Sequence, residues 1–256
     1  MIPIDHALST RLYEHRAITI KSTAAQFAVG MVAWDLAYYW WHRSHHRSRI
    51  LWASHSQHHS SEEFTFTTAV RMPWMEALYK PALALWAPLL GFHPLAFAAM
   101  GALVLIAGQF QHTELMRRRT PLDLVFVTPS AHRVHHGSNA KYLDKNFGSM
   151  LIIWDRIFGT FQGEEETPTY GITTPLESFN PVYIVFHEFS AWCQDIVRVR
   201  SLKDAWTVTF GSPSDAKYWR DDYEAVHGKI MPTAIERGWA KGVQRFKDWR
   251  RQRKAA

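Results

Sequence analysis

The 256-residue sequence contains one cysteine, Cys193. A single thiol cannot form an intramolecular disulfide, and it cannot build a thiolate zinc site or an iron–sulfur cluster. Any protein-bound metal must therefore be held by nitrogen or oxygen. The sequence also lacks a CxxCH haem-attachment motif and a GxGxxG dinucleotide fingerprint. If the chain performs redox chemistry, its electrons must come from another protein or from a small reductant.

Three further features narrow the class of protein. Residues 1–16 have no apolar run and no small-residue cleavage site, so we expect no signal peptide. Soluble di-iron carboxylate enzymes need two Glu-x-x-His motifs, and the sequence has one such spacing, from Glu224 to His227. The net charge is +6, and the basic residues form short clusters beside apolar segments. That pattern favours anionic lipid headgroups over nucleic acid as the counter-charge.

Apolar residues make up 47% of the sequence and are concentrated in a few stretches, which indicates a membrane protein. Residues 23–41 include one charged residue, Asp35, and end in an aromatic run, so they predict a membrane-spanning helix. Residues 73–90, a Gly-Phe-His-Pro turn and residues 95–110 predict a helical hairpin that enters the membrane and returns. Basic clusters follow the spanning helix and the return limb, at Arg117 to Arg119 in the second case. By the positive-inside rule, both ends lie in the cytosol.

The remaining segments predict helices that lie on the membrane surface or cover the core. Residues 122–127 and 147–161 are apolar but too short or too interrupted to span, which suits interfacial helices. Residues 179–193 form an amphipathic stripe. The polar region from residue 201 onward ends in a basic helix with Trp239, Val243 and Phe246. We therefore expect an all-α integral membrane protein with three or four transmembrane or re-entrant helices and a cytosolic helical cap.

The most informative residue type is histidine, which occurs 15 times. Nine of these residues form three clusters, which are His42-Arg-Ser-His45-His46, His55-Ser-Gln-His58-His59 and His132-Arg-Val-His135-His136. Residues three and four apart lie on one helix face, so each cluster directs two or three imidazoles to one point. Neutral imidazole binds iron, copper, zinc and nickel. The sequence therefore predicts a metal centre at the cytosolic membrane face, with these clusters as its ligands.

One histidine outside the clusters is a further candidate for the same centre, and the role of one histidine within them stays open. His112, at the end of the return limb, would project toward it, although a polar helix terminus is the alternative. His45 could bind the metal or point elsewhere, because it is adjacent to His46. His187 follows the amphipathic stripe and is expected at the membrane interface rather than at the metal.

Three polar residues could support the ligands. Asp35 lies two helical turns before His42 on the same face, where it could accept a hydrogen bond from a ligating imidazole or simply reach water. Asn139 and Asn146 flank the third cluster, where they could orient ligands or cap the loop. Each of the three is predicted to position a ligand through hydrogen bonds and not to bind the metal itself.

Several long motifs resemble the fatty acid hydroxylase/sterol desaturase superfamily. They run from Asp35 through His46, from Leu51 through Ser60, from Thr128 through Asn139, and from Leu143 through Phe161. The similarity covers residues 30 to 162. Beyond it, Tyr170-Gly-Ile and Leu176-Glu-Ser-Phe-Asn-Pro181 resemble the alkylglycerol monooxygenase branch, which cleaves ether lipids with a tetrahydropterin reductant.

The resemblance implies a membrane-bound non-haem di-iron oxygenase that uses O2 and two external electrons to hydroxylate, desaturate or oxidatively cleave a lipid, such as a fatty acyl chain, a sterol or an ether lipid. The donor would be a tetrahydropterin or a redox protein. The implied iron ligands are His42, His46, His55, His58, His59, His112, His132, His135 and His136. The implied regions are an N-terminal segment (1–22), a membrane-embedded catalytic domain (23–165) and a C-terminal interfacial and polar region (166–256). The implied location is the inner membrane of a bacterium or the endoplasmic reticulum of a eukaryote.

Two departures from the family pattern bear on these expectations. Family members commonly have more membrane helix before the first cluster, and Ala131 stands where a histidine often precedes His132. Two other kinds of protein also fit clustered imidazoles: a membrane hydrolase with zinc-activated water, and a metal-binding membrane protein without catalytic activity. Eight or more histidines exceed what one zinc ion needs, which disfavours the first.

Overall fold

The computed structural model describes residues 3–71, 75–79, 84–116, 120–230 and 248. In these residues the secondary structure is helical, and one isolated antiparallel bridge joins Phe126 to Leu151. The all-α prediction is therefore confirmed for the described part of the chain. The α-helices are α1 (Pro3–Glu14), α2 (Thr23–Arg47), α3 (Arg49–His59), α4 (Phe66–Ala69), α5 (Glu76–Tyr79), α6 (Trp86–Leu89), α7 (Pro94–Gln111), α8 (Pro129–His135), α9 (Ile153–Ile157), α10 (Pro181–Ile196), α11 (Leu202–Phe210) and α12 (Pro213–His227), with a 3-10 helix at Pro121–Leu124.

The chain divides into two compact units. Unit 1 comprises Met1–Arg43 and Glu63–Thr169, and unit 2 comprises Ser44–Glu62 and Tyr170–Ala256. The division falls within α2, so this helix contributes His42 to unit 1 and both His45 and His46 to unit 2. The region boundaries expected from the sequence, at residues 22/23 and 165/166, stay predictions.

Unit 1 has one apolar core where α2, α6 and α7 meet. Buried Phe92, Phe97 and Met100 form this core with Ala87, and Trp34 of α2 packs against it. Helix α2 approaches α7 closely at Gly30, where a Cβ would lie 2.6 Å from the Met100 Cε, so a larger residue would force the Met100 side chain to shift. A second small core of Val127, Ala131 and Ile152 lies beneath α8.

Helix α7 confirms that residues 95–110 are helical, while their return through a membrane stays a prediction. Pro94 starts the helix, and the His93 side chain accepts a hydrogen bond from the Leu95 N–H at its N-terminus. By length and composition, α7 is the one helix among the described residues that is suited to cross a membrane. Only 28% of it is buried, and Leu103, Leu105 and Phe110 are exposed.

Other predicted segments differ in length from the helices observed. The helix expected at residues 23–41 is present but continues through Arg47, so the first histidine cluster lies on it rather than after it. The described part of the first hairpin limb contains two four-residue helices, α5 and α6, while the rest of that limb lies outside the described residues. Three other predictions also fall outside the described residues. They concern Arg117 to Arg119, the basic run from Arg250 to Lys254, and the helix with Trp239, Val243 and Phe246.

The prediction of an interfacial helix over residues 147–161 is wrong. Only Ile153–Ile157 is helical, because two buried carboxylates accept hydrogen bonds from the backbone N–H groups that precede it. Asp155 accepts hydrogen bonds from Phe147 N and Gly148 N, and Asp35 accepts from Met150 N and Leu151 N. Residues 145–151 are thereby held as a compact loop, which we call the orienting loop.

Unit 2 is formed by α3 packed on α10, with α11 and α12 beside them. Asn180 caps α10 by accepting hydrogen bonds from Val182 N and Tyr183 N, and Pro181 follows at the first helical position. Ser201 and Ser212 cap α11 and α12 in the same way. The amphipathic stripe predicted at residues 179–193 is therefore confirmed as a helix.

Candidate metal centre

Helix α8 presents two histidines of the third cluster toward His112 in unit 1. The Nε2 atom of His112 lies 3.0 Å from His132 Nε2 and 3.2 Å from His136 Nε2. All three side chains are buried. We call these residues the His112 cluster.

These separations match a shared metal ion. Imidazole nitrogen binds a first-row metal at about 2.0–2.1 Å, so two ligands at right angles around one ion lie about 3.0 Å apart. Three nitrogens at 3.0–3.2 Å meet that requirement. His112 therefore lies where a ligand of such an ion would lie, and its role as a ligand stays a prediction.

His42 and His135 form a second group in unit 1. Their ring centroids are 4.4 Å apart, and one nitrogen of each lies within 4.8 Å of one nitrogen of the other. Each ring is held by a backbone carbonyl of the orienting loop: His42 Nδ1 lies 2.9 Å from Phe147 O, and His135 Nδ1 lies 2.9 Å from Lys145 O.

Backbone carbonyls fix the tautomer of three of these rings. His112 Nδ1 lies 2.6 Å from Gly108 O, as His42 and His135 lie against the carbonyls of Phe147 and Lys145. A carbonyl can only accept, so Nδ1 must carry the proton and donate it. Nε2 then has its lone pair available for a metal.

Burial also keeps two of these imidazoles neutral. Loss of solvation lowers the pKa of His112 to about 4 and that of His135 to about 4, although the bonds to Gly108 O and Lys145 O oppose the shift. At neutral pH both rings are therefore uncharged. The neutral form is the one that binds metal ions.

Asn146 is the residue that joins the orienting loop to α8. Its side-chain amide donates to Ala131 O at 3.0 Å and to Gln162 O at 2.8 Å, and its Oδ1 accepts from Gln162 N at 2.9 Å. Asn146 is fully buried, with φ of +56°. It lies between the two residues whose carbonyls hold His135 and His42, so it sets their positions.

Gln111 and Asp35 hold the orienting loop through hydrogen bonds to its backbone. Gln111 Nε2 donates to Ser149 O at 2.7 Å and to Val127 O at 3.0 Å. Asp35 was expected to accept a hydrogen bond from a ligating imidazole or to reach water. It is fully buried, and its three bonds come instead from Met150 N, Leu151 N and Trp154 Nε1. Its influence on His42 therefore passes through the loop.

Asn139, unlike Asn146, makes its hydrogen bonds away from the orienting loop. Its side chain donates to the Glu166 carboxylate at 2.8 Å and accepts from Thr169 N at 2.7 Å. It is half-buried and lies in the connection that follows α8. Loop capping, the alternative to ligand orientation, describes these contacts.

Arg133 anchors α8 on the side away from the imidazoles. Its guanidinium binds both oxygens of Glu164, at 2.8 Å and 2.6 Å, and donates to Thr113 O and Met116 O just beyond the end of α7. The side chain is almost completely buried. Because this fork joins α8 to the residues beside His112, it holds His132 and His112 in register.

Phe64 covers the His112 cluster. Its ring centroid lies 5.3 Å from that of His112, 5.2 Å from His136 and 6.0 Å from His132. The Phe64 side chain is itself buried. It supplies an apolar wall that keeps water away from one side of the imidazoles.

Unit 2 contains a third group of imidazoles on α2 and α3. One nitrogen of each of His46, His55 and His59 lies within 4.8 Å of the others, and the Nε2 atoms of His55 and His59 are 3.2 Å apart. We call these residues the His55 cluster. The Trp52 ring packs against His46 at 5.2 Å and His59 at 5.5 Å.

His58 and His45 are also buried in unit 2. The His58 ring lies 5.5 Å from His55 and 5.4 Å from His59. The His45 ring lies 5.7 Å from His55, but its nitrogens are not among those within 4.8 Å of the cluster. Helical spacing thus separates His45 from its neighbour His46.

Buried ion pairs fix α3, which carries three of these histidines. Arg49, the first residue of α3, binds Glu188 at 2.8 Å and Asp195 at 2.6 Å on α10. Asp195 is completely buried and also binds Arg220 of α12 at 2.7 Å. Sequence patterns did not identify this network, because its partners are about 140 residues apart.

His187 lies apart from the imidazole groups of unit 2. Its Nδ1 lies 3.0 Å from Ile184 O, one turn earlier on α10. Burial lowers its pKa, and the charge of Glu188 opposes that shift. As expected from the sequence, it is not in the His55 cluster.

Comparison with known proteins agrees with the geometry. The family model for fatty acid hydroxylases matches residues 27–160, which include every histidine of the groups above. Alkylglycerol monooxygenase from Homo sapiens is 43% identical over 164 residues, which are 62% of this chain and 36% of the relative. The enzyme of the same name from Danio rerio is 39% identical over 184 residues, 70% of this chain and 40% of the relative.

A bacterial relative is named for a different activity. Ornithine lipid hydroxylase OlsE from Rhizobium tropici is 34% identical over 139 residues, 54% of this chain and 42% of the relative. The chain spans well under half the length of each of these three relatives. No solved structure matches it significantly. With more than half of its residues matched by the family model, this chain belongs to the fatty acid hydroxylase family, on the branch that includes the alkylglycerol monooxygenases.

Proposed function

We propose that the chain is a membrane-bound non-haem di-iron monooxygenase that uses O2 to oxidise a lipid. The observation that carries this proposal is the set of buried imidazoles at metal-ligand separations, with family membership as its support. Unit 1 supplies the His112 cluster and the pair of His42 and His135. Unit 2 supplies the His55 cluster and His58.

The proposed ligands are those of the family pattern. They are His42, His46, His55, His58, His59, His112, His132, His135 and His136, with His45 as an additional candidate. Nine imidazoles are more than one four-coordinate ion can use. Two ions with four or five nitrogen ligands each would use the whole set, and imidazole suits iron.

The side chains and backbone of the protein would bind the metal, orient the imidazole ligands and shield them from water. Carbonyls of the orienting loop hold Nδ1–H of His42 and His135, so that each Nε2 remains aimed at the metal. Phe64 and Trp52 exclude water from the two clusters. When bound, the iron pair supplies the redox chemistry that activates O2 toward a C–H bond.

The net reaction needs an external reductant. Insertion of one oxygen atom into a C–H bond leaves the other to become water, which takes two electrons and two protons. The chain has no motif for a haem, a flavin or a nicotinamide. We therefore propose a tetrahydropterin or a separate redox protein as the donor.

The proposed substrate is a lipid, with an ether lipid of the alkylglycerol type first. One relative is named for alkylglycerol and another for ornithine lipid. Hydroxylation beside an ether oxygen gives an unstable hemiacetal, so the same oxidation leads to cleavage in an ether lipid and to a stable alcohol in an acyl chain. The nature of the lipid, rather than the oxidant, would thus decide the product.

The proposed location is a membrane, with several passes and the histidine clusters on the cytosolic side. Exposed leucines along α7 support this, because such a surface is stable only against acyl chains or another protein. Helix α2, with 25 residues, is long enough to span as well. It is less apolar than α7.

Lipid profiling tests the proposed activity. Cells that express the chain should lose an alkylglycerol lipid or gain a hydroxylated one, in air only, and cells that express His135→Ala should resemble cells without the chain. His187→Ala is the matched control, because it changes a partly buried histidine outside the clusters. An unchanged lipidome in air would overturn the proposal.

The two rival functions predict different results in a purified preparation. A zinc hydrolase would contain zinc and release products without consuming O2. A silent metal-binding protein would contain metal and neither consume O2 nor change the lipid. The proposed oxygenase contains iron and consumes one O2 for each lipid oxidised.

A further inference from the structure

Helix α10 exposes an apolar stripe and buries polar residues. Val182, Phe186, Cys193 and Val197 are all exposed, and their spacing of four, seven and four residues places them within about 60° around the helix. The opposite side contains Gln194 and Asp195, which are buried. An ordinary surface helix has the reverse arrangement.

Helix α11 continues this pattern. Leu202, Trp206 and Phe210 recur every four residues and are exposed, Leu202 at 91%, while Val208 on the other side is completely buried. The Trp206 and Phe210 rings are in contact, with centroids 4.8 Å apart. Three large apolar residues in nine, all on the exposed side, make a continuous patch rather than scattered exposure.

The two stripes flank one junction in unit 2. Trp192 Nε1 donates to Thr209 Oγ1 at 3.1 Å, which joins α10 to α11. Trp192 directly precedes Cys193, and Thr209 directly precedes Phe210, so each stripe lies next to this contact. We call the combined surface of Val182, Phe186, Val197, Leu202, Trp206 and Phe210 the α10–α11 face.

Cations border this face, and a groove with acidic residues adjoins it. The connection from Val197 to Lys203 contains Arg198, Arg200 and Lys203 and no acid, and both Arg200 and Lys203 are exposed. Four acidic residues, Asp204, Asp215, Asp221 and Asp222, line a groove of about 890 Å³ between α11 and α12, which Lys203 and Trp206 also line. An apolar face beside cations, with a tryptophan between them, matches a lipid monolayer with anionic headgroups.

We propose that the α10–α11 face docks on a lipid leaflet that contains anionic headgroups. Its apolar side chains enter the boundary between headgroups and acyl chains, Trp206 lies at the headgroup level, and Arg200 and Lys203 contact the phosphates. This membrane contact belongs to unit 2 and is separate from any helix that spans the bilayer. It does not depend on the identity of the metal or on the reaction.

The single cysteine makes a direct test possible, because exposed Cys193 lies within the stripe of α10. The full chain, labelled there with an environment-sensitive fluorophore, is placed in nanodiscs of phosphatidylcholine and phosphatidylglycerol. Nitroxide on the lipid chains and iodide in the water serve as rival quenchers. A second labelled chain, Cys193→Ser with Leu202→Cys, reports on α11, and Cys193→Ser with Asp222→Cys reports on the acidic groove.

We expect the nitroxide lipid, and not iodide, to quench the labels at positions 193 and 202. At position 222 we expect iodide to quench instead. Arg200→Ala with Lys203→Ala should lower the ratio of docked to undocked chain about fivefold per charge removed. Nanodiscs without phosphatidylglycerol should produce a similar loss.

Three results would overturn the proposal. Iodide quenching at positions 193 and 202 would mean that the face lies in water. Protection from both quenchers would mean that protein covers it, either residues 231–256 or a second copy of the chain. Nitroxide quenching at position 222 as well would mean that no particular face of this region meets the lipid.

Discussion

His112 and His132, twenty residues apart in the sequence, place their Nε2 atoms 3.0 Å from each other. Nδ1–H of His112 donates to Gly108 O, so Nε2 of this ring carries a lone pair. Burial lowers the pKa of His112 to about 4, which keeps that lone pair unprotonated at neutral pH. It is therefore available either to an N–H of His132 or to a metal ion, and the surrounding contacts are arranged to keep these atoms in place.

Replacing Asn146 should disturb the His42–His135 pair without touching it. Asn146→Ala leaves Ala131 O, Gln162 O and Gln162 N without their bonds, which should lower the free energy of unfolding by about 1–3 kcal/mol per unsatisfied group. Iron content should fall as well. Thermal unfolding and metal analysis of the purified chain measure both effects.

Two variants separate the causes of the Asn146 effect. Asn146→Gly loses the same bonds but tolerates φ of +56°, so it should be more stable than Asn146→Ala by about 1–2 kcal/mol. Asn139→Ala, in the exposed loop contacts with Glu166 and Thr169, should retain its iron. Equal iron loss from Asn139→Ala and Asn146→Ala would contradict a specific role for Asn146.

Arg133→Lys should loosen α8 although the charge is kept. Lysine cannot bind Glu164 through two nitrogens and also reach Thr113 O and Met116 O, so stability should fall by about 1.5–3 kcal/mol. The iron that remains should dissociate faster into a chelator. Arg156→Lys is the control, because Arg156 is exposed, donates to Asp123 O and lies 3.9 Å over the Phe161 ring, so its change should stay within about 1 kcal/mol. Unchanged chelation kinetics in Arg133→Lys would argue against the anchoring role.

Phe64→Ala should admit water to the His112 cluster. Removing a buried phenyl ring costs about 3–5 kcal/mol, and the open wall should raise O2 consumption that is not matched by lipid product. Phe158, which stacks on Tyr39 and is partly exposed, provides a comparison. If Phe158→Ala uncouples O2 use as strongly as Phe64→Ala, shielding by Phe64 is not the cause.

The metal-free chain should lose stability as the pH falls. The pKa of His112 and of His135 is about 4 in the folded chain and near 6.5 when unfolded, so the unfolded state binds more protons between these values. Its free energy of unfolding should therefore decrease from pH 6.5 toward 4 and be flat above pH 7. Thermal melts of the chelated protein test this, and the double variant His112→Phe with His135→Phe should flatten the curve. A melting temperature of the chelated wild-type chain that does not change between pH 7 and 5 would contradict these pKa values.

The grouping of the histidines could be predicted from the sequence because their spacing is local. His132 and His135 are three residues apart, and a helix brings such residues to one face. His112 was identified by its place after an apolar helix. These inferences need only the helical period and the chemistry of imidazole.

The contacts that orient the candidate ligands could not be predicted in the same way, although Asp35 and Asn146 were expected to support them. His42 and His135 are held by backbone carbonyls, which have no side-chain signature, and Asp35 reaches amides 115 residues away. The apolar composition of residues 147–161 suggested a helix, since nothing local reveals that Asp155 and Asp35 hold the preceding amides. The Arg49 and Arg133 anchors likewise depend on partners far along the chain.

Metal content tests the central claim most directly. The full chain, purified from cells supplied with both iron and zinc, should contain two iron ions for each chain, and His135→Ala should contain less iron while remaining in the membrane fraction. His187→Ala should match the unaltered chain. One zinc ion for each chain and no iron, or full iron content in His135→Ala, would contradict a di-iron centre held by these histidines.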